Sequence, residues 1–526
     1  MSTKSNRIFT ILGILLVVLA IGYNVYTSAI FGQHGLDADS ASEMVLANEL
    51  NKEGKLLSEN WYYSTEIRIV SPVPLYQLAL KLFPDSWHSA RVFSNAILMI
   101  GAALSLIFAA KAAGIGVESL YAAAILVLPY SWYHRFDFTW FGFYTVYFML
   151  ACWIFLLVMH ISKKKHGIIR LPILALLSLW GGLSGVRMLL IISVPLFLSA
   201  LLLFFHRMIA EKETLKDCIR EEEGLFLLVS LFSLLFMFIG YLINTNVLAE
   251  KYSFQQFGDS ILKTFKLSSF LPWFDGFLTY MGYQEEKALV SIYGFIDIVI
   301  IAFVLFGLIA PFLLLKKNRK ELPFSERMVP CFALVACVFV MILVMIIDDP
   351  YFSVGVDAIS YFIAGAVFLT LAMFMLLRKW LKHTPILCTV LLTLLVAFFF
   401  VDSHYSIDTD VPDYDTSRER AAQWLYDHYY ENGFATFWNG NLLTEFTNGE
   451  LEITTFGAWN TPRPYDGLQV KRHLESFPEG EIFVVVDDAE MENYVPFAKE
   501  ENLIYQDENI YVYAFDDASE VIDTLY

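Results

Sequence analysis

Long apolar runs recur along the chain, and most charged residues fall between them. Runs cover roughly 8–30, 89–111, 118–133, 139–161, 170–186, 188–206, 224–244, 290–315, 329–347, 357–377 and 385–402. Most of these match the about 20 residues that cross a hydrocarbon core as a helix. Inside lipid a helix pairs every backbone N–H and C=O within itself, so helices are the expected spanning element. The short alternating segments of a transmembrane barrel do not occur. The pattern predicts an all-α multi-pass membrane protein with eleven spans. The first run is longer than the core of a signal peptide and lacks a clear small-x-small cleavage site, so it reads as an uncleaved anchor.

Lys and Arg in the short connections set the orientation. Lys4 and Arg7 precede the first span, and Lys163, Lys164, Lys165 and Arg170 follow the fourth. Arg207, Lys212, Lys216 and Arg220 follow the sixth, Lys316, Lys317, Arg319, Lys320 and Arg327 the eighth, and Arg378, Lys379 and Lys382 the tenth. With eleven spans all these loops share one side, expected to be the cytoplasm. The N-terminus is then cytoplasmic and the C-terminal tail extracytoplasmic, in a multi-pass protein of the cell membrane.

The reading divides the chain into a membrane domain, 1–402, and an outer domain, 403–526. Within the first, segment 31–88 is too long for a plain connector. Segment 245–289 is rich in aromatics such as Phe254, Trp273, Phe274 and Tyr280. It fits either an interface-lying stretch or the wall of a groove for lipid or sugar.

The tail alternates helix and strand signals. Helices are expected at Arg418–Tyr430, Leu442–Thr447 and Leu468–Glu475. Strands are expected at Ala435–Trp438, Leu451–Phe456 and Ile482–Val486, with a hairpin of Asn502–Gln506 and Ile510–Phe515 turning at Asp507–Asn509. This is a small α/β domain. It contains no phosphate-cradling glycine loop and no nucleophile elbow.

Composition sharpens the picture. Of 526 residues, 57% are hydrophobic, and the net charge is −18. From Ser403 onward there are 26 acidic and six basic residues, so the acidity belongs to the tail. That argues for solubility and against nucleic acid as a partner. The five cysteines, Cys152, Cys218, Cys331, Cys337 and Cys388, all lie before the tail and show no C-x-x-C spacing. They read as buried thiols rather than a metal site.

Candidate chemistry concentrates after the first span. Asp37 and Asp39 precede an amphipathic pattern over Met44–Leu57, which suits a helix on the membrane surface. Two plain roles are open to these aspartates, helix capping and dipole stabilisation. Trp61-Tyr62-Tyr63-Ser64-Thr65-Glu66, Pro72-Val73-Pro74-Leu75-Tyr76 and Trp87-His88-Ser89-Ala90-Arg91 follow.

This series resembles the GT-C membrane glycosyltransferases, in the branch of protein O-mannosyltransferases and bacterial aminoarabinose transferases. That branch has an acidic motif after span one, an A-x-E-L-like helix, a Pro-Leu-Tyr motif and an arginine opening span two. Here Ala47-Asn48-Glu49-Leu50 places Asp39 at the acidic position, Pro74-Leu75-Tyr76 on the second motif, and Arg91 on the arginine. Ser40 stands where the family usually has glutamate. The basic residue usual before the prolines is absent or displaced to Arg68.

The resemblance implies an inverting transferase that moves a sugar from a polyprenyl-phosphate donor to an acceptor hydroxyl outside the cytoplasm, without a cofactor. The acceptor is a cell-envelope glycan, lipid or protein. A carboxylate must take the hydroxyl proton, and a cation must meet the leaving phosphate. Asp39 is the first choice for the base and Asp37 the second. Glu66, Tyr76, Arg91, Arg135 and Arg187 are the substrate-binding candidates in the membrane domain. The arginines sit at predicted outer span ends, where they also suit lipid headgroups. His134, Asp137, Asp348 and Asp349 lie at outer loops too. In the tail, Trp438 and Asn439, with Asn441, suit stacking on and hydrogen bonding to a sugar. A buried tryptophan beside a turn-forming Asn-Gly is the plain alternative.

Two other function classes fit the pattern. A flippase of lipid-linked sugars predicts inverted repeats and polar residues at mid-membrane, where Asp297 is the main example. A non-catalytic scaffold would bind envelope polymer through its outer domain.

Overall fold

The computed structural model describes residues 3–525 apart from 65–66, 164–166, 211–213, 255–260, 263–267, 269, 285–287, 289, 317–321, 349–358, 412–415, 458–463 and 495–498. The chain forms two compact units. One comprises Met1–Tyr26, Asn95–Val247 and Phe257–Asp410, the other Thr27–Ser94, Leu248–Gln256 and Val411–Tyr526.

The first unit is a helical bundle. Counting those helices that pass into the second unit, nine among the described residues are long and apolar enough to cross a membrane, beginning with Arg7–Phe31 and Trp87–Ala112 and ending with Ser360–Trp380 and Pro385–Asp410. The apolar window of Ser360–Trp380 is 89% buried and that of Arg7–Phe31 28%, so the former is central and the latter is left for lipid to cover. The last helix continues to Asp410, past the boundary expected at 402.

Two expected crossings are shorter. Ile169–Gly182 is one of them. The run 118–133 breaks into the nine-residue helix Glu118–Leu126 and a short helix at Trp132–His134, followed by a π-helical turn at Arg135–Trp140. Pro129 explains the break, since it lacks an N–H and turns the preceding residue away from helical angles. The Ser131 hydroxyl restarts the helix by accepting from the His134 N–H at 3.2 Å. Helices Gly167–Gly182 and Glu222–Ile243 pack backbone to backbone. A Cβ on Gly182 would lie 1.9 Å from the Met237 carbonyl oxygen, and one on Gly240 2.3 Å from that of Leu179. Small residues permit such close approach where lipid gives no hydrophobic drive.

In the second unit, helix α1 (Ala38–Glu53) is capped by Asp37 and ends on Gly54, whose φ of +67° suits a residue without Cβ. The sequence suggested a helix lying on the membrane surface. Instead α1 is buried on nearly every side, packed against helix α2 (Val73–Leu82) and a helix of the tail. Met44, Leu46, Ala47 and Leu50 join Trp61, Tyr63, Tyr76 and Trp87 in one core. Burying each large side chain contributes about 1.5–3 kcal/mol. The polar side of α1 is also covered, because Ser40, Ser42, Glu43 and Glu49 find protein neighbours rather than headgroups.

The tail adds helix α3 (Ser417–Asp427), strand β2 (Asn432–Thr436), helix α4 (Phe437–Phe446), and strands β3 (Glu452–Phe456), β5 (Ile482–Asp487), β6 (Leu503–Asp507) and β7 (Ile510–Phe515). The sheet order is β3-β2-β5-β7-β6, with β3, β2 and β5 parallel and the β6–β7 hairpin antiparallel. Strand β5 is buried throughout, as befits a strand covered on both faces. Two further strands, β1 (Trp61–Tyr62) and β4 (Gln469–Val470), pair antiparallel and join the segment after the first membrane helix to the tail.

Two tail elements differ from expectation. The strand expected at Ala435–Trp438 ends at Thr436, and α4 begins at Phe437. Asn439-Gly440 reads as a turn in sequence. In the fold Gly440 lets α4 lie on β3, where a Cβ would come within 2.4 Å of the Thr455 side chain. The helix expected over Leu468–Glu475 is β4 followed by the single turn Arg472–Glu475.

A candidate active site: a carboxylate pair and a buried arginine

Asp37 and Asp39 stand at the start of α1, both partly exposed. Asp37 Oδ1 accepts from the Ser40 N–H at 2.8 Å and from the Ser40 hydroxyl at 2.6 Å, the geometry of an N-cap. Burial, then the charge of Asp39, pushes Asp37 up to about 7, against the pull of the Ser40 hydrogen bonds and Arg91. The pair therefore holds a proton near neutral pH, as two close carboxylates do. Asp39 lies in the first helical turn and acts electrostatically on the tail residue Tyr465, pushing its phenol up to about 12 after the larger effect of burial. Tyr465 packs with Ala38, Phe437 and Leu468. Residues Gln33, Leu36, Ser86, His88, Glu445 and Asn448 line a cleft of about 220 Å³, with neither aspartate in its lining.

Arg91 is 3% exposed. Its Nε and Nη2 donate to the two carboxylate oxygens of Glu445, on α4, at 2.8 and 2.7 Å. Nη2 also donates to the Ser40 carbonyl at 3.0 Å, and Nη1 reaches the Tyr76 hydroxyl at 3.5 Å. The guanidinium lies 5.2 Å from the Tyr76 ring centre. Burial raises Glu445 above its ordinary range, and Arg91 opposes that rise. Nearby, Arg68 Nη1 lies 3.5 Å from buried Glu43.

The remaining candidates in the bundle unit are separate. Arg135 is fully buried, pairs with Asp410, donates to the Ser406 hydroxyl at 2.7 Å and lies over Trp140. Arg187 is half-buried. It donates to the Tyr144 hydroxyl at 2.7 Å and lies over that ring at 5.5 Å. His134 is sealed between Tyr130 and Phe138, and its Nε2 lies 2.8 Å from the Leu126 carbonyl oxygen. Asp137 accepts from the Ser360 hydroxyl at 2.5 Å. Glu66 and Asp349 fall outside the described residues. Asp348 lies in a two-stranded pairing with Ile261–Leu262.

In the tail, Trp438 is 39% exposed and packs edge-on against Phe437, which places its ring beside the Ala38–Tyr465 contact. Asn439 is fully buried at the carboxyl ends of β2 and β5. Its amide donates to Thr436 at 2.9 Å and Glu490 at 3.0 Å, and its carbonyl accepts from Arg418. It therefore shapes the domain interior and offers no polar group to a sugar. Asn441 likewise donates to the Leu468 carbonyl. Among the described residues no three His, Cys, Asp or Glu side chains converge as a metal-binding group.

Sequence reasoning missed Glu445 and Tyr465. No local pattern marks either one, since Glu445 is 354 positions from the arginine that it neutralises.

Neither a protein-family model nor a curated protein matches the sequence. Solved structures do align. The apo form of ArnT, the aminoarabinose transferase of Cupriavidus metallidurans, aligns with a TM-score of 0.54 and 11% identity, over 95% of this chain and 97% of that one. Its complex with undecaprenyl phosphate aligns at 0.51 with 10% identity and the same coverage. The apo Archaeoglobus fulgidus oligosaccharyltransferase aligns at 0.52 with 13% identity, over 93% of this chain and 70% of that one. At such identities the likeness speaks for architecture alone. Over nearly its whole length the chain has the multi-pass helical fold of these two GT-C transferases.

Proposed function

We propose that this protein transfers a sugar from a polyprenyl-phosphate donor to a hydroxyl acceptor on the outer side of the membrane. The observation that carries the reading is the Asp37–Asp39 pair just after the first membrane helix of a GT-C-like fold, with Asp37 pushed up by burial and by the charge of Asp39. Asp37 caps α1, and the reading takes Asp39, in the first helical turn, as the base. It takes the acceptor O–H proton as the acceptor oxygen bonds to the anomeric carbon. The bond from that carbon to the phosphate oxygen breaks, and polyprenyl phosphate leaves with the electron pair. A single displacement of this kind inverts the anomeric centre.

Among the arginines of the bundle unit, the reading takes Arg187 as the candidate for binding a lipid phosphate. A guanidinium fork suits a phosphate, and Arg187 is the candidate arginine that is only half-buried. ArnT in complex with undecaprenyl phosphate supports a lipid phosphate as the donor's carrier. The reading gives Trp438, exposed beside the Ala38–Tyr465 contact, the role of stacking on the sugar or acceptor.

The test is complementation. Deleting the gene should remove one envelope glycan modification seen by mass spectrometry, wild-type protein should restore it, and Asp39→Asn should not. In membranes, the loss of a general base should lower turnover by about 10²–10⁴-fold. Unchanged turnover at a normal protein level removes Asp39 from the mechanism.

A further inference from the structure

We propose that Arg91 is a positioning residue rather than a phosphate ligand, and that through its pair with Glu445 the tail domain fixes where the Asp37–Asp39 carboxylates stand. This rests on the transferase reading above. The contacts form one continuous chain. Glu445 binds Arg91 through both carboxylate oxygens, and Arg91 binds the Ser40 carbonyl. Ser40 in turn donates both its N–H and its hydroxyl to Asp37. Ser40 is thus gripped from both ends, with the capping aspartate on one side and the buried guanidinium on the other.

Further contacts surround this chain. Tyr76 lies under the guanidinium, and the Trp87 N–H, at the start of the Arg91 helix, donates to Asn448 Oδ1 at 2.7 Å. Asn448 follows α4, so both ends of the ion pair are referred to the same tail helix. That helix is held against β3 through Gly440.

The same contacts argue against a phosphate at this place. Arg91 and Glu445 are 3% and 4% exposed and neutralise each other. A phosphate arriving there would put a second anion on one buried cation and have to displace a bidentate carboxylate, which is costly in a poorly solvated site. An arginine used by the chemistry should instead be reachable by substrate.

The experiment uses the full chain in lipid nanodiscs, with Glu445→Gln and the double variant Arg91→Met/Glu445→Leu, which removes both buried charges together. Three quantities are read: amide hydrogen exchange of 38–46, binding of undecaprenyl phosphate, and sugar transfer. For a positioning role, exchange in the first turns of α1 speeds up by about tenfold or more as local protection is lost. Undecaprenyl phosphate binding stays within about twofold, and kcat falls by about tenfold or more with KM for the donor little changed. Arg91 as a phosphate ligand gives the opposite. Glu445→Gln then tightens undecaprenyl phosphate binding by freeing the guanidinium, and the double variant abolishes it. That result, or unchanged exchange in both variants, overturns the proposal. If exchange accelerates while wild-type protein transfers no sugar, the clamp stands and the transferase reading fails.

Discussion

Arg91 and Arg187 lie at the ends of membrane helices and look alike in sequence, yet the fold treats them differently. Arg91 is closed off by a carboxylate, a backbone carbonyl and a phenol, and almost none of it is exposed. Arg187 is half-buried, with the Tyr144 phenol as hydrogen-bond acceptor and cation–π surface. A buried cation matched by a buried anion belongs to the architecture. A half-buried guanidinium keeps some contact with solvent, and the phosphate assignment proposed above uses that difference. Arg135, fully buried and paired with Asp410, falls with Arg91.

The sharpest way to break this contrast is to truncate each arginine. Arg91→Ala leaves Glu445 as an unpaired buried carboxylate, which should cost about 3–5 kcal/mol of stability. Thermal unfolding of the purified protein measures this, and Arg91→Met/Glu445→Leu should recover most of the loss. Arg187→Ala should be much milder in stability but weaken undecaprenyl phosphate binding by about tenfold, near 1.4 kcal/mol. If the two variants lose stability equally and neither loses the lipid phosphate, exposure does not separate the arginines and the assignment of Arg187 fails.

A second contrast is between carboxylates. Asp37 is raised to about 7, whereas in the same unit Glu452 is held at about 2, chiefly by its hydrogen bond from His473, with Arg472 adding to it. The signs of their pH effects are opposite. The folded state binds the Asp37 proton more tightly than the unfolded chain does. Its contribution to stability is complete below the ordinary aspartate range, about 3.8, and disappears as pH rises through about 7. Asp37→Asn should flatten that slope in denaturation measured between pH 4 and 8. For transfer, loss of the Asp37 proton puts a second negative charge beside Asp39 and strengthens it as a base, so the rate should climb with pH through about 7. Ser40→Ala removes a hydrogen bond that lowers Asp37 and should move this limb to higher pH.

Much of the architecture was legible because lipid demands it. The apolar runs locate the helices, and β5 is readable as an unbroken apolar strand. The break at Pro129 and the helix starting at Phe437 were harder. In the first case a proline stands in an otherwise continuous apolar run. In the second, Asn439-Gly440 carries a turn signal that packing against Thr455 overrides. Asp37 and Asp39 were visible as a motif, but which of them caps α1 depends on the position of the Ser40 backbone. The role of Arg91 was not visible, because its partner comes from the distant tail. The amphipathic pattern of α1 was read as one face for lipid and one for water, and tail and first segment together cover both.

The smallest predicted effect tests whether burial or number of partners decides an arginine's role. Arg472 has more carboxylate partners than Arg91, contacting Glu49 and Glu452 at 2.8 Å each. Burial works against the Glu49 carboxylate, but hydrogen bonds from Arg472 and Lys52 outweigh it and hold it below its ordinary range. The side chains of Arg472 and Glu452 are nonetheless 44% and 47% exposed, so water screens that pair, and Glu49, 10% exposed, keeps Lys52 at 2.6 Å when Arg472 is lost. Arg472→Ala should therefore cost only about 0.2–1 kcal/mol, less at high salt. The contribution of Glu452 has the ordinary sign. It is present above the usual glutamate range, about 4.5, and is lost as pH falls through about 2, so the Arg472→Ala deficit should shrink in acid. A loss above about 2 kcal/mol would exceed what exposed pairs contribute and would mean that partner number outweighs burial here. The distinction between Arg91 and Arg187 would then need another basis.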